Sequence, residues 1–278
     1  MIMASLTEIA HLFPWFFPLA VTLFGACIGS FLNVCIYRIP EGLSVVKPRS
    51  RCPHCETPIH WYHNIPILSW LLLKGKCAYC AAEVSMRYLW VEALTGSLFA
   101  LFFYRFGFHS MTPVVLLMVA VLVVITFIDL DHQIIPDVIS LPGIPIGFLC
   151  SFLVPWVSWQ ASLLGILLGG GSLLAIALGY ELLTGKEGMG FGDVKLLAML
   201  GALLGWTSIF PIIFIGSTLG TLVGVPLMLF KKADSKLAIP FGPFLAAGAL
   251  LHLFFIQHTD PLMRWYASML QQLWLSFW

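Results

Sequence analysis

Charged residues are scarce in this sequence, and their scarcity excludes an ordinary water-soluble domain. Only 10% of the 278 residues are Asp, Glu, Lys or Arg, whereas 60% are hydrophobic. A soluble globular domain carries roughly 25% charged residues, which cover its surface. The composition therefore predicts a membrane protein, in which a helix of about 20 apolar residues crosses the bilayer.

Other absences exclude further classes of protein. The formal net charge is only +1, which does not predict a nucleic-acid partner. No His-Glu-x-x-His is present, so a zinc protease of that type is not supported, and no Gly-x-Gly-x-x-Gly follows a strand to mark a Rossmann-type cofactor site. The start of the chain lacks the basic region and small-residue cleavage site of a signal peptide, so its first apolar segment is expected to remain as a membrane helix.

Long apolar segments make up most of the chain, and one polar loop, at 38–87, interrupts them. Their lengths and composition predict an all-α polytopic membrane protein with about eight transmembrane helices and a small cytoplasmic loop domain. Glycines four residues apart, such as Gly165 and Gly169, predict close packing between these helices. The apolar segments are 12–37, 88–105, 112–128, 138–156, 160–181, 194–206, 208–230 and 238–256.

The basic residues predict the orientation in the membrane. With the N-terminus outside, twelve of the fourteen Lys and Arg residues lie at or beside the cytoplasmic side, and only Arg105 and Arg264 remain outside. Cytoplasmic loops carry an excess of Lys and Arg, so this orientation is favoured. The loops predicted to face the cytoplasm are 38–87, 129–137, 182–193 and 231–236.

Acidic residues are found at two of these cytoplasmic junctions, in Asp129–Asp137 and in Gly188–Lys195. Acids at a membrane boundary are costly and usually functional. Two carboxyl groups brought together share a proton, and this pairing is the chemistry of aspartic proteases. The alternative is that the first acids are solvated loop residues and that Asp193 caps a helix. The spacing leaves open whether Asp129, Asp131 or Asp137 is the partner of Asp193.

The polar loop contains two Cys-x-x-Cys pairs that are separated by 21 residues. Four thiolates at this spacing suit one tetrahedral zinc ion, and a disulfide is disfavoured in the cytoplasm. Four cysteines fill the coordination shell, so the zinc is expected to be structural, and His54, His60 and His63 are expected to be loop or packing residues. The predicted ligands are Cys52, Cys55, Cys77 and Cys80.

Five stretches of the chain resemble signatures of one enzyme family, the type IV prepilin peptidases, which are bifunctional leader peptidases and N-methyltransferases. The resemblance covers about residues 25–250 and includes the Asp129-to-Pro136 spacing and the Gly190-x-Gly192-Asp193 motif. The five stretches are Gly29–Pro40, Arg51–Cys55, Asn64–Trp70, Gly75–Cys80 and Arg87–Glu92.

This resemblance implies that Asp129 and Asp193 are the catalytic pair, with Asp131 in a supporting position. It implies cleavage of the leader from prepilins and pseudopilins, followed by methylation of the new N-terminal residue with S-adenosylmethionine. It also implies a bacterial inner-membrane enzyme whose active site faces the cytoplasm. Candidates for binding the methyl donor, by family motif, are Asn33, Arg38, Gly75, Lys76 and Glu92.

The predicted domains follow from these assignments. Residues 1–37 form the first transmembrane helix, and 38–87 form a cytoplasmic four-cysteine zinc-binding domain associated with methylation. Residues 88–256 form a transmembrane aspartic peptidase domain, and 257–278 form a C-terminal tail.

Two alternative functions remain: a peptidase without methylation, and a membrane transporter whose polar loop is held by a zinc ion. A transporter is expected to show polar residues near the middle of its helices and repeat symmetry, and neither is evident.

Overall fold

Helices make up the membrane-spanning part of the described chain, whereas the polar loop is mostly turns and irregular backbone. A computed structural model describes residues 12–185, 190–231 and 239–256, so the predicted tail at 257–278 and Gly188 lie outside the described residues. Strand-like pairing within these ranges is limited to two isolated bridges, in the polar loop. The α-helices are α1 (Phe16–Arg38), α2 (Leu68–Leu72), α3 (Met86–Phe106), α4 (Thr112–His132), α5 (Asp137–Cys150), α6 (Trp159–Thr184), α7 (Phe191–Leu204), α8 (Ile209–Lys231) and α9 (Gly242–Phe254).

Five helical segments of the described chain are long and apolar enough to cross a membrane, as expected for a polytopic membrane protein. They are α1, α3, α4, α6 and the stretch Trp206–Leu229, which includes most of α8. Each of the eight predicted apolar segments contains a helix, but α5, α7 and α9 have only 14, 14 and 13 residues. A 14-residue helix is about 21 Å long, whereas the hydrocarbon core is about 30 Å thick. The count of eight spans therefore stays a prediction.

The chain divides into two compact units, Met1–Ile128 and Asp129–Trp278. In the first unit, α1 and α3 pack at very short range because glycines face the contact. A Cβ added at Gly29 would lie 2.8 Å from the Cα of Glu92, and one added at Gly96 would lie 2.9 Å from the carbonyl oxygen of Thr22. This packing fixes the position of Glu92 on α3.

In the second unit, α7 lies against α5, α6 and α9. The predicted glycine packing is confirmed: Gly165 and Gly201 meet so closely that a Cβ on either would collide with the backbone of the other. On the opposite contact, Gly143 of α5 leaves room for the side chain of Met199. These contacts hold α7, and with it Asp193, in one position.

Pro136 accounts for the break between α4 and α5. Helix α4 ends at His132, and Pro136 has the extended backbone that precedes the first residue of α5. Proline disfavours helical backbone in the residue before it, and its fixed φ suits a helix start. The turn places Asp129 in the last turn of one helix and Asp137 in the first turn of the next.

Candidate functional site

Asp129 is held by the start of a distant helix. Its side chain lies in the last turn of α4 and is 5% exposed, and its Oδ2 accepts a hydrogen bond from the N–H of Gly242 at 3.0 Å. Gly242 is the first residue of α9, and the first N–H groups of a helix have no partner within the helix. The carboxylate of Asp129 therefore meets the positive end of a helix dipole.

No side chain can replace the hydrogen atom of Gly242 without displacing Asp129. A Cβ built there would lie 2.6 Å from the Oδ2 of Asp129 and 3.3 Å from the Cδ1 of Ile135. Glycine at this position lets the backbone approach the carboxylate. Pro243 follows directly and contributes no N–H.

Asp193 lies in the first turn of α7, outside the five segments that are long enough to span a membrane. Its side chain is partly buried, and burial together with the nearby charge of Asp129 raises its pKa to about 7. Two carboxyl groups that interact in this way share a proton near neutral pH. Such a pair can activate a water molecule with one oxygen and polarise a carbonyl with the other.

Ile135 packs between the segments that carry this pair. A Cβ at Gly192, next to Asp193, would lie 2.9 Å from the Cβ of Ile135, and the Cδ1 of the same Ile135 approaches Gly242. The end of α4, the start of α7 and the start of α9 therefore converge on one buried side chain. This convergence explains why Asp193 follows a glycine.

The other two acids that the spacing left open have different surroundings. Asp137 forms an ion pair with Lys195, which joins the starts of α5 and α7, and its side chain is 56% exposed. Asp131 is exposed. Of the three acids, Asp129 is the one whose charge acts on Asp193.

Sequence reasoning missed Gly242, Ile135 and the pairing of Lys195. Gly242 carries a signal that was not used, since a proline directly after a glycine marks a helix start. Its contact with Asp129 joins residues 113 positions apart, and a single sequence gives no sign of such a pairing.

The four cysteines of the polar loop lie together in the first unit. One sulfur atom from each lies within 4.8 Å of the others, and none of the four forms a disulfide. The two pairs adopt the same turn: the N–H of Cys52 donates to the carbonyl of Thr57, and the N–H of Cys77 donates to that of Ala82. Four sulfur ligands at this separation fit a single tetrahedral zinc ion.

A cavity of about 340 Å³ lies beside the cysteine cluster in the first unit. Three of the five methyl-donor candidates line it, namely Gly75, Lys76 and Glu92. The other two lie outside its lining. Asn33 donates from Nδ2 to the carbonyl of Tyr88 at 3.2 Å, and Arg38 donates to two carbonyls of the loop that follows α1.

His63 also lines the cavity, although the sequence predicted only a loop or packing role for it. Its Nδ1 is buried and has no hydrogen-bond partner in the part of the chain that the structure describes. Buried polar atoms are nearly always partnered, so this nitrogen is available to a ligand. The sequence around His63 gave no sign of this.

Comparison with known proteins gives matches along nearly the whole chain. Residues 23–106 match the family model described as "Bacterial Peptidase A24 N-terminal domain", and 116–225 match the one described as "Type IV leader peptidase family". No solved structure matches.

Several curated relatives share the printed name "Prepilin leader peptidase/N-methyltransferase". The relative from Aeromonas hydrophila is 40% identical over 96% of this chain and 99% of its own length. The relative from Neisseria gonorrhoeae is 38% identical over 86% of this chain and 91% of its own length. The relative from Pseudomonas aeruginosa strain PAO1 is 37% identical with the same coverage.

Proposed function

The chain belongs to the type IV leader peptidase family, and from this premise we propose that it is a bifunctional membrane enzyme. It cleaves the leader peptide of type IV prepilins and pseudopilins, and then N-methylates the new N-terminal residue. The observation that carries the proposal is identity of 40% to a prepilin leader peptidase/N-methyltransferase over 99% of that relative's length. The two family models support the peptidase activity, and the printed names of the relatives support the methyltransferase activity.

Cleavage follows an aspartic mechanism on Asp129 and Asp193. The N–H of Gly242 donates to Oδ2 of Asp129 and fixes the position of this carboxyl group. Asp193 keeps the shared proton because its pKa is raised to about 7 by burial and by the charge of Asp129. Asp129 therefore takes a proton from the attacking water, while Asp193 donates a hydrogen bond to the carbonyl oxygen of the scissile peptide bond.

The bond is cut at the cytoplasmic face of the bacterial inner membrane. The orientation rests on the basic loops, since twelve of the fourteen Lys and Arg residues then lie at or beside the cytoplasm. A pilin substrate keeps its apolar helix in the bilayer, which presents the leader to the same face. In this arrangement the chain crosses the membrane eight times and has a zinc-binding domain at 38–87 and a peptidase domain at 88–256.

One zinc ion is bound by Cys52, Cys55, Cys77 and Cys80 and holds the two halves of the polar loop together. The fit rests on the donor set, because four sulfur atoms within 4.8 Å of one another match a closed tetrahedral site. Zinc binds cysteine in its deprotonated form, so binding at this site releases protons and depends on pH. A closed site leaves no position for substrate, so the zinc organises the loop.

S-adenosylmethionine supplies the methyl group when it is bound. The acceptor amine reacts only when neutral, and an α-amino group has a pKa of about 7.7–8.0, so positioning contributes more than proton removal. Gly75, Lys76 and Glu92 form part of a cavity wall in the first unit. Asn33 and Arg38 support that region, the first through the backbone of Tyr88 and the second through the loop after α1.

The test uses purified full-length enzyme, a synthetic prepilin peptide and S-adenosylmethionine with a labelled methyl group. Mass spectrometry follows both steps in one reaction. The expected result is loss of the leader, followed by gain of one labelled methyl group on the new N-terminus. An intact peptide would contradict the proposal. Cleavage without methyl transfer would support the peptidase activity and contradict the methyltransferase activity.

A further inference from the structure

The cavity of the first unit contains a buried carboxylate. Glu92 lines it and is 7% exposed. Its hydrogen-bond partners are neutral: Oε2 accepts from the N–H of Ile67 at 2.7 Å, and the Ser30 side chain forms a second bond. No ion pair joins Glu92 to a basic residue within the described ranges. A buried negative charge without a cation is costly, so this wall of the cavity favours a positively charged ligand.

The loop that contacts Glu92 holds an unusual backbone conformation. Ile67 has a φ of 63°, which is rare for a β-branched residue and is found where the surroundings impose it. Its N–H is thereby directed to the carboxylate. The carboxylate is thus fixed in place by both α3 and this loop.

An aromatic ring is fixed in the same cavity. The indole Nε1 of Trp70 donates to the carbonyl of Val84 at 3.2 Å, and Gly75 lies against the ring so closely that a Cβ there would be 2.8 Å from it. Gly75 has a φ of 66°, a conformation that favours glycine. Tyr79 and Tyr88 add further aromatic surface to the lining. Aromatic faces bind cations that have no N–H to donate.

A carboxylate and aromatic faces together distinguish a sulfonium from a neutral thioether. The cavity volume of about 340 Å³ lies within the range of about 300–1,000 Å³ for small-molecule sites. The unpartnered Nδ1 of His63 supplies a hydrogen-bonding position for a polar ligand. These three observations come from different residues and point to the same class of ligand.

We propose that this cavity is the binding site of the sulfonium methyl donor, in which Glu92 and Trp70 select the positive charge and His63 binds through a hydrogen bond. The proposal rests on the methylation step of the proposed function and adds the location of its donor. Residues 1–128 contain every group that it uses.

Binding is measured by calorimetry on purified full-length enzyme, with S-adenosylmethionine and with S-adenosylhomocysteine, which has a neutral sulfur. Wild type is expected to bind the sulfonium more tightly. Glu92→Gln keeps the shape and an acceptor for Ile67, so it is expected to weaken the sulfonium by about tenfold or more and the thioether by less than about twofold. His63→Ala is expected to weaken both ligands alike.

The matched control is Glu41→Gln, because Glu41 is an exposed carboxylate of the same polar loop that does not line the cavity. It is expected to leave both affinities unchanged. Prepilin cleavage by each variant reports that the chain is folded. If Glu92→Gln does not accumulate, Trp70→Leu replaces it and is expected to lower the preference for the sulfonium.

Two results would overturn the site while leaving the proposed function intact. The first is that Glu92→Gln prefers S-adenosylmethionine over S-adenosylhomocysteine as strongly as wild type does, while wild type prepared in the same way transfers the methyl group. The second is that Glu92→Gln weakens binding of a cleaved pilin peptide but not of the methyl donor. That result would mean that Glu92 binds the N-terminal amine of the peptide. A wild type that cleaves but neither binds the donor nor methylates would instead contradict the methylation step itself.

Discussion

Replacement of Gly242 by alanine tests how Asp129 is held. The added Cβ would lie 2.6 Å from Oδ2 of Asp129, a distance that Cβ atoms essentially never show, so the carboxylate must move. The hydrogen bond from the Gly242 N–H, now 3.0 Å long, is then lost or distorted. The backbone itself is not strained, because the residue opens a helix.

The expected effect follows from the strength of that hydrogen bond. A hydrogen bond to a charged group contributes about 1.5–3 kcal/mol. Each 1.36 kcal/mol corresponds to a tenfold change in rate, so kcat for prepilin cleavage is expected to fall by about 10- to 150-fold. Because the water that Asp129 activates is not part of the peptide, KM is expected to change little.

Cleavage of a synthetic prepilin peptide by purified enzyme measures this loss, and methylation of a pre-cleaved peptide serves as an internal control for folding. Gly220→Ala is the neutral control, since its Cβ would make an ordinary contact of 3.5 Å with Phe244. Gly248→Ala is the packing control on the same helix, because its Cβ would lie 2.6 Å from the carbonyl oxygen of Ile212. Wild-type kcat in Gly242→Ala, or an equal loss in all three variants, would refute the reasoning.

Three further predictions concern the same two units. The kcat/KM for cleavage is expected to fall as pH rises through about 7. The raised pKa of Asp193 means that the proton it needs is present below that pH and lost above it. A flat profile through neutral and alkaline pH would contradict this prediction. Metal analysis is expected to find about one zinc per chain, lost in the Cys52→Ser, Cys77→Ser double variant, and a folded wild type without metal would be the contrary result. Asp137→Asn is expected to keep cleavage within about fivefold of wild type, because an ion pair this exposed, here with Lys195, contributes only about 0–1 kcal/mol; an inactive variant would assign Asp137 a direct role.

Much of the fold was predictable because a bilayer imposes long apolar runs. Helices α1, α3 and α6 coincide with such runs to within a few residues. The short helices were harder, since α5, α7 and α9 have the composition of spans without the length. Whether a short apolar helix crosses the membrane depends on its neighbours, which hydropathy does not report.

The candidate site was predictable only in its chemistry. Acids at a membrane boundary and two spaced Cys-x-x-Cys pairs are local signals that a single sequence displays. The support of Asp129 by Gly242 and the cavity beside Glu92 arise from contacts between distant segments. The isolated nitrogen of His63 is likewise a property of its surroundings, because the same residue would be unremarkable in a solvated loop.

The central claim is that Asp129 and Asp193 together perform the cleavage. The most direct measurement compares purified Asp129→Asn and Asp193→Asn with wild type on a prepilin peptide, and each variant is also given a pre-cleaved peptide with labelled S-adenosylmethionine. Both variants are expected to accumulate in membranes and to methylate the pre-cleaved peptide while cleaving none of the prepilin. Normal cleavage by either variant would contradict the account.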